Sequence, residues 1–503
     1  MPTTTTSLIR PELLTLATEQ LQALMPYFWV FGGACLAILL SVMRKPSPKW
    51  PVLFLTVATA IIGIVLSLEL MHADKTLLFN SMMVSDVYSN FFNVIFLASA
   101  ALTILASFRY LDREGLQHPE YYVLVLFSAL GMMLMTSALD LIVMFIALEI
   151  MSLSVYVLVG FRRADRKSNE AALKYFILGS AASAVLLYGS ALLYGATGST
   201  NIRDILAVIT ANPAAMTPMY AIGALFVVLG FLFKVASVPF HMWMPDVYEG
   251  APTPITGFMT TGLKAAAFAT FVRVFISLGY GKGLTAAIQV YMHDILWVSA
   301  VLTMVIGNVV ALTQTNLKRM LAYSSIAHTG YLLVGMIAGP TSEQGYAPVV
   351  LYLVAYAIMN LGAFIILTVL AAREDHGLNL SDFAGLASRR PWLAFALTVF
   401  LFSMAGIPPT AGFAAKYLLF YSAIQAGEIW LVVISVLCSA ISVYYYLRVL
   451  VYMYMRDPVG AAPNARVALG SSLAIAAMVA LTFQIGVLPA RMMAVAKKAV
   501  TSL

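Results

Sequence analysis

The stretch FLFKVASVPFHMW, residues 231–243, sets a lysine inside an apolar run and a proline five residues after it. Proline removes a backbone donor and frees the carbonyl about four residues earlier, here around Val235. In hydrocarbon, unpaired backbone survives only where protein or internal water satisfies it. The stretch therefore predicts a helix broken at Pro239 at membrane depth, with freed polar backbone beside the Lys234 ammonium.

The surrounding sequence supplies the membrane. Of 503 residues, 61% are hydrophobic and only 10% charged, with a mean hydropathy of +0.91; a soluble domain carries about 25% charged residues. Mostly apolar runs of about 18 residues or more recur from residue 22 to 488, each long enough to cross about 30 Å of hydrocarbon. No segment shows the strict alternation over about 10 residues that a transmembrane β-barrel requires. The fold expected is an all-α polytopic membrane protein of about fourteen spans, near 22–43, 52–71, 85–108, 120–138, 140–161, 169–195, 217–244, 252–278, 288–313, 317–338, 345–371, 391–425, 428–454 and 467–488. The seventh and twelfth are broken, at Pro239 and at Pro408 with Pro409, and the eighth is flanked by Pro252 and Pro254.

Connections after odd-numbered spans hold 17 of the 29 basic residues, and the opposite connections with both tails hold 7. Because cytoplasmic loops carry the lysine and arginine excess, both termini are expected on the non-cytoplasmic side of a bacterial inner membrane. The net charge of +7 then reads as a topology and lipid-headgroup signal, not a nucleic-acid footprint. YVLVGF at 156–161 echoes YLLVGM at 331–336, and Pro239 echoes Pro408. Two five-helix units, spans 4–8 and 9–13, would be inverted relative to each other, as in transporters whose ion sites lie at discontinuous helices. The expected divisions are 1–119, a three-helix segment; 120–280 and 281–456, the two repeats; and 457–503, a last helix and tail.

Five basic residues remain inside spans: Lys174, Lys234, Lys264, Arg273 and Lys416. A charge at mid-span costs about 2.5–3.5 kcal/mol on insertion scales unless paired, hydrated or neutralised. Glu149, in FIALEIMSLSVYVLVGF, sits about nine residues into the fifth span, either kept neutral by desolvation or, the favoured reading, paired with a cation. Lys264 lies among glycine, threonine and alanine that admit close packing and water. Lys416 follows the second break by two turns. His328 in YSSIAHTGYLL is a histidine able to accept and donate a proton near neutral pH, against the plainer reading of a packing residue. Lys174 either snorkels toward the Arg162–Lys167 cluster or adjusts Glu149, whereas Arg273 is expected to snorkel from its helix end. Asp140 reads as an interfacial cap, and Asp246 and Glu249 as loop acids at the cytoplasmic mouth. A glutamate and lysines on or between broken helices form a chain of groups whose proton affinities respond to one another.

Cys35 and Cys438 stand alone, with no metal-ligand or cluster-ligand spacing. GYGKG at 279–283 follows no strand and lacks the context of a nucleotide-binding loop. The N-terminus, with only Arg10 before the first apolar run, does not read as a removable signal peptide.

Four motifs carry a family resemblance: KVASVPFHMWMPDVYEGAPTPITGFMTTGLKAAAFA (234–269), LEIMSLSVYVLVGF (148–161), AALKYFILGS (171–180) and GIPPTAGFAAKYLLF (406–420). They resemble the N-type antiporter-like subunits of bacterial NADH-quinone oxidoreductase, respiratory complex I, and the likeness runs through all the expected spans. The resemblance implies a proton-translocating membrane-arm subunit driven by quinone reduction elsewhere in the complex. It implies that Glu149 and Lys234 are a coupling pair, Lys264 the central connecting lysine, Lys416 the terminal lysine, Lys174 a modulating lysine and His328 an auxiliary group. It further implies M-type and small K-type neighbours, no cofactor on this chain, and NADH, FMN, iron–sulfur clusters and a quinone elsewhere. M-type relatives usually carry glutamate where Lys416 stands, and L-type relatives extend into a long lateral helix, whereas this sequence ends fifteen residues after its last expected span. GFAAKY departs from the family, which more often has glycine before the lysine. The rival reading is a subunit of a multisubunit cation/proton antiporter, and a third is a purely structural scaffold.

Overall fold

The computed structural model describes residues 18–43, 49–281, 284–458 and 467–503. Arg10, Arg44, Lys45, Lys282 and Arg466 of the charge count, and the end of GYGKG, lie outside the described residues.

The described residues open with α1 (Thr18–Met43) and α2 (Lys49–Leu70). A short antiparallel hairpin follows, β1 (Thr76–Leu78) on β2 (Met83–Ser85), with Thr76 opposite Ser85. Asp86 then caps α3 (Val87–Glu114): its carboxylate accepts from Ser89 N–H while Ser89 Oγ accepts from Asp86 N–H, and Gly115 ends the helix in the left-handed region. Next come α4 (Pro119–Ser137), α5 (Leu141–Val159), α6 (Arg166–Thr197) and the short amphipathic α7 (Ile202–Ala211). Asp140 is the cap expected of it, accepting from Ile142 and Val143 N–H at 2.8 and 3.3 Å.

The stretch that opened the sequence reading is broken as expected. α8 (Pro218–Lys234) stops at the lysine itself and α9 (Trp243–Gly250) resumes after eight intervening residues. α10 (Thr253–Phe258), a π-helical turn (Met259–Leu263) and α11 (Lys264–Ser277) run as one apolar unit. Then follow α12 (Ala286–Thr313), α13 (Leu317–Ala338), α14 (Ala347–Leu370) and the single-turn α15 (Leu386–Arg389). The second broken span consists of α16 (Pro391–Ala405) and α17 (Ala411–Gln425), and α18 (Ile429–Met455), α19 (Leu469–Val487) and α20 (Pro489–Thr501) complete the chain. Among the described residues, twelve helices are long and apolar enough to cross a membrane, while α8 and α16 are shorter apolar helices, each followed by a break.

Burial grades these helices by position. α11, α13 and α14 are almost wholly buried, whereas α6, α12 and α18 turn tyrosine, leucine and valine side chains outward, as helices facing lipid do. Close backbone contacts recur at a fixed spacing. A Cβ on Gly131 of α4 would meet Met151 N of α5 at 2.4 Å, and one on Gly307 of α12 would meet Ala327 N of α13 at 2.6 Å, each position 176 residues after its counterpart. Small residues let membrane helices approach this closely. Isolated bridges repeat in the same sense, Asp140 with Asn201 and Asn316 with Asn379.

Candidate functional site

The break after Lys234 is held by side chains from other helices. Ala236 takes φ +56°, which turns the chain out of the helix. Val235 C=O accepts from Thr329 Oγ1 at 2.7 Å, and Val238 N–H donates to Thr303 Oγ1 at 2.9 Å. Ser237 Oγ also contacts Thr303, and Trp243 Nε1–H donates to Phe233 C=O at 3.2 Å. Hydroxyls of α12 and α13 thus supply the partners that irregular backbone needs at this depth.

Lys234 is 9% exposed, and its Nζ donates to Ser152 Oγ at 3.0 Å, 5.9 Å from the centre of the Tyr156 ring. Ser152 lies three residues after Glu149 on α5, so the two share a helix face. Glu149 is half-buried, and its Oε1 has no hydrogen-bond partner. Among the described residues no ion pair joins Glu149 to Lys234, whose ammonium is held by Ser152.

Lys264 begins α11 immediately after the π turn. Its Nζ donates to Ser325 C=O at 2.5 Å and Ser325 Oγ at 2.6 Å, with Tyr356 OH at 3.5 Å. A cavity of about 10 Å³ is lined by both Lys234 and Lys264 together with Tyr175, Trp243 and Tyr248, room for about one water. Tyr356 donates to Ser325 Oγ, and its ring lies 5.1 Å from that of His328. His328 Nδ1 and Nε2 contact Tyr352 OH at 2.6 Å and Tyr446 OH at 3.3 Å, and Tyr446 also bonds Ser324.

Lys416 closes the row. α16 ends at Gly406 with φ +88°, leaving its last carbonyls turned inward. Lys416 Nζ donates to Met404 C=O at 2.9 Å, Ala405 C=O at 3.1 Å and Ser439 Oγ at 2.9 Å, and lies 5.1 Å from the centre of the Tyr331 ring. A cation suits the carbonyl end of a helix. Tyr331 is one turn from His328 and touches its ring at 5.7 Å. The structure thus brings Lys234, Lys264, His328 and Lys416 into one buried polar row, with Pro239 and Pro408–Pro409 at the breaks beside it.

Lys174 lies elsewhere. It pairs with Glu170 and Asp246, both at 2.8 Å, at the rim. Asp246 and Glu249 sit on α9, not in a loop, and both bind Arg319 Nη1 at 2.9 Å. Deeper in the same mouth, Asp375 accepts from Lys318 Nζ at 3.1 Å and Thr253 N–H at 3.2 Å, with Arg162 at 3.4 Å. Burial would push the Asp375 carboxyl up, but Lys318 and Arg162 hold it below its ordinary value. A polar cavity of about 480 Å³ opens here.

Arg273 corrects one expectation: it does not snorkel. It is 3% exposed, and its Nη2 bridges both carboxylate oxygens of Asp86, at 3.0 and 2.9 Å. Sequence reading also passed over the hydroxyls that hold the row, Ser152, Ser325, Ser439, Tyr352, Tyr356 and Tyr446. Serine and tyrosine are ordinary in membrane helices, and only SSIAH, with two serines beside a histidine, gave any signal.

Buried lysines beside two discontinuous helices define a class, the antiporter-type ion-translocating membrane subunits. The family model described as NADH:quinone oxidoreductase/Mrp antiporter, TM, matches residues 138–442. NADH-quinone oxidoreductase subunit N of Trichlorobacter lovleyi is 50% identical over 378 residues, 75% of this chain and 76% of that protein. Its counterpart in Bdellovibrio bacteriovorus is 43% identical over 439 residues, covering 86% and 88%. A chain of respiratory complex I from Thermus thermophilus superimposes with a TM-score of 0.79 at 32% identity, covering 93% of this chain and 98% of that one. A chain of the Mrp complex from Dietzia shares the fold at 20% identity, TM-score 0.81. The chain belongs to the NADH-quinone oxidoreductase subunit N family.

Proposed function

We propose that this chain is a proton-translocating membrane-arm subunit of an NADH:quinone oxidoreductase, with Glu149, Lys234, Lys264 and Lys416 as its relay. The observation that carries the reading is the bonding of the three lysines. None has a carboxylate partner within ion-pair distance among the described residues; their ammonium groups rest on hydroxyls, carbonyls and ring faces. Such partners accept from a charged lysine, and the hydroxyls can donate to a neutral one, so each site tolerates loss of its proton. A proton enters from the polar mouth near α9, passes Lys234 and the shared cavity to Lys264, and crosses the His328–tyrosine cluster to Lys416. Glu149 biases Lys234 by its charge, itself set by a neighbouring subunit, and Lys174 tunes the mouth through Asp246. Moving one proton against 100 mV requires about 2.3 kcal/mol, comparable to under two pKa units of electrostatic coupling.

The contacts recurring at a 176-residue spacing support two inverted units, and the basic excess supports both termini outside the cytoplasm of a bacterial inner membrane. M-type and K-type subunits are the proposed neighbours. NADH, FMN, iron–sulfur clusters and a quinone are proposed for other subunits of the complex.

The test replaces Lys234 and, separately, Lys416 by alanine in the assembled complex and measures protons moved per NADH oxidised. A fall in that ratio with residual electron transfer is expected, and an undiminished ratio in both variants sinks the relay. Absence of NADH:quinone reductase activity from complexes purified through this chain would favour the antiporter reading instead.

A further inference from the structure

Of the three groups that accept from Lys416 Nζ, two are carbonyls and one, Ser439, is a hydroxyl. A carbonyl only accepts, whereas a hydroxyl accepts and donates, so the way onward from Lys416 runs through α18. Glu428, Ser435 and Ser439 follow one another at intervals of seven and four residues, which puts them within about 20° of one line along the helix. Each point on that line meets a neighbour. Ser439 meets Lys416 of α17, Ser435 Oγ reaches Met304 Sδ of α12 at 3.3 Å, and Glu428, at the start of α18, meets His293 of α12.

α12 ends at the polar mouth, where Gln314 and Thr315 line the cavity, so His293 near its start lies at the far end of the bundle. There His293 Nε2 contacts Glu428 Oε1 at 2.8 Å and its Nδ1 contacts Asp294 Oδ1 at 3.2 Å; the side chains of His293, Glu428 and Asp294 are 34%, 20% and 65% exposed. Among the described residues the other titratable groups near the pair are Tyr280, on which both acids act electrostatically, and Glu343, which accepts from Gln425 at 3.5 Å at the end of α17. Between the levels of Ser435 and Glu428, Leu296 and Ala300 of α12 and Leu431 of α18 are fully buried.

We propose that His293 and Glu428 form the group through which this chain releases protons at the far end of the bundle, the non-cytoplasmic side in the orientation given above. The inference rests on the relay reading. A proton given up by the Lys416 ammonium leaves a neutral amine and crosses Ser439 and Ser435, each hydroxyl accepting one proton as it passes on another. It is then held between the His293 imidazole and the Glu428 carboxylate, and imidazole binds and loses a proton near neutral pH. From there it passes to outside water beside Asp294, and the pair returns to its starting state. The apolar layer of Leu296, Ala300 and Leu431 gates the crossing from Ser435 to the pair, as dewetted constrictions do in channels.

The test measures protons moved per NADH oxidised by the assembled complex in vesicles, with Lys416→Ala as the reference. A structural tie and a proton group make opposite demands at position 428. Glutamine keeps the length and a hydrogen bond to His293 but does not titrate, whereas aspartate titrates but is one methylene shorter. Glu428→Gln is expected to lower the ratio by as much as Lys416→Ala does, and Glu428→Asp to retain most of it. His293→Gln is a second variant, with the same loss expected as in Glu428→Gln. An undiminished ratio in Glu428→Gln or in His293→Gln, or a loss in Glu428→Asp as large as in Glu428→Gln, would overturn the release group and leave the relay standing. An undiminished ratio in Lys416→Ala would remove both.

Discussion

At the residue scale, the cost of burying charge made the buried lysines Lys234, Lys264 and Lys416 legible: a lysine twelve residues into an apolar run has few readings. The same reasoning failed at Arg273, because a position near a helix end looks like a snorkelling site, and its partner Asp86 is 187 residues away in the chain. Asp375 was invisible for a related reason. It lies in a connection, and only the fold brings Arg162 and Lys318 to it, with side-chain exposures of 5%, 7% and 2% respectively. Removing one partner from a buried network costs about 3–5 kcal/mol. Asp375→Asn should therefore lower stability by that order, measured by unfolding in detergent. The pH dependence has a definite sign. The folded carboxyl titrates below its ordinary value, so the network's contribution is complete above that ordinary value, near pH ~4, and is lost as pH falls through the lowered folded one. The difference between wild type and Asp375→Asn should be constant through neutral pH and narrow only in acid.

At the element scale, proline announced both breaks, and the broken segments fall where the sequence placed them. The π turn before Lys264 was not legible, since MTTGL is compatible with α-helix as well. Yet π turns are frequent at functional positions in helices, and this one ends immediately before Lys264. Deleting Thr260 should remove the extra residue that the π turn accommodates and close the widened turn, shifting Lys264 relative to α13. Lys264 should then lose Ser325, and proton translocation should fail while the chain still inserts and assembles. α20 could have been found, because Met492, Met493, Ala496, Ala499 and Val500 repeat at helical spacing, but it is too short and polar to register as a span. A second prediction concerns the end of α16. A Cβ on Gly406 would be strained at φ +88° and would sit 3.1 Å from Lys416 Cδ. Gly406→Ala should cost about 1–3 kcal/mol and push the ammonium off the Met404 and Ala405 carbonyls. Its expected signature is a pumping defect resembling that of Lys416→Ala, in protein that retains its charge.

At the scale of the whole molecule, one end of the bundle gathers the ion-paired mouth of Arg162, Lys318, Arg319 and their acids, while the far end is pinned by the Asp86–Arg273 pair and by Lys75, which donates to the Ser502 and Leu503 carbonyls at 2.8 and 3.1 Å. If the basic end faces the cytoplasm, as proposed from the lysine and arginine excess, the C-terminus lies outside together with the β1–β2 hairpin. The relay then takes protons from the side where the acids of α9 collect them. This orientation can be read directly from the living cell. With Cys35 and Cys438 replaced by serine, Ala164→Cys places a thiol in the exposed α5–α6 connection and Thr501→Cys places one on the exposed end of α20. A membrane-impermeant maleimide added to cells with a permeable outer envelope should modify the cysteine at 501 and spare that at 164, and inverted vesicles should reverse the pattern. Labelling at 164 from outside would turn the molecule over, placing the polar mouth on the side that should receive protons, and the direction of transfer along the row would have to be reversed with it.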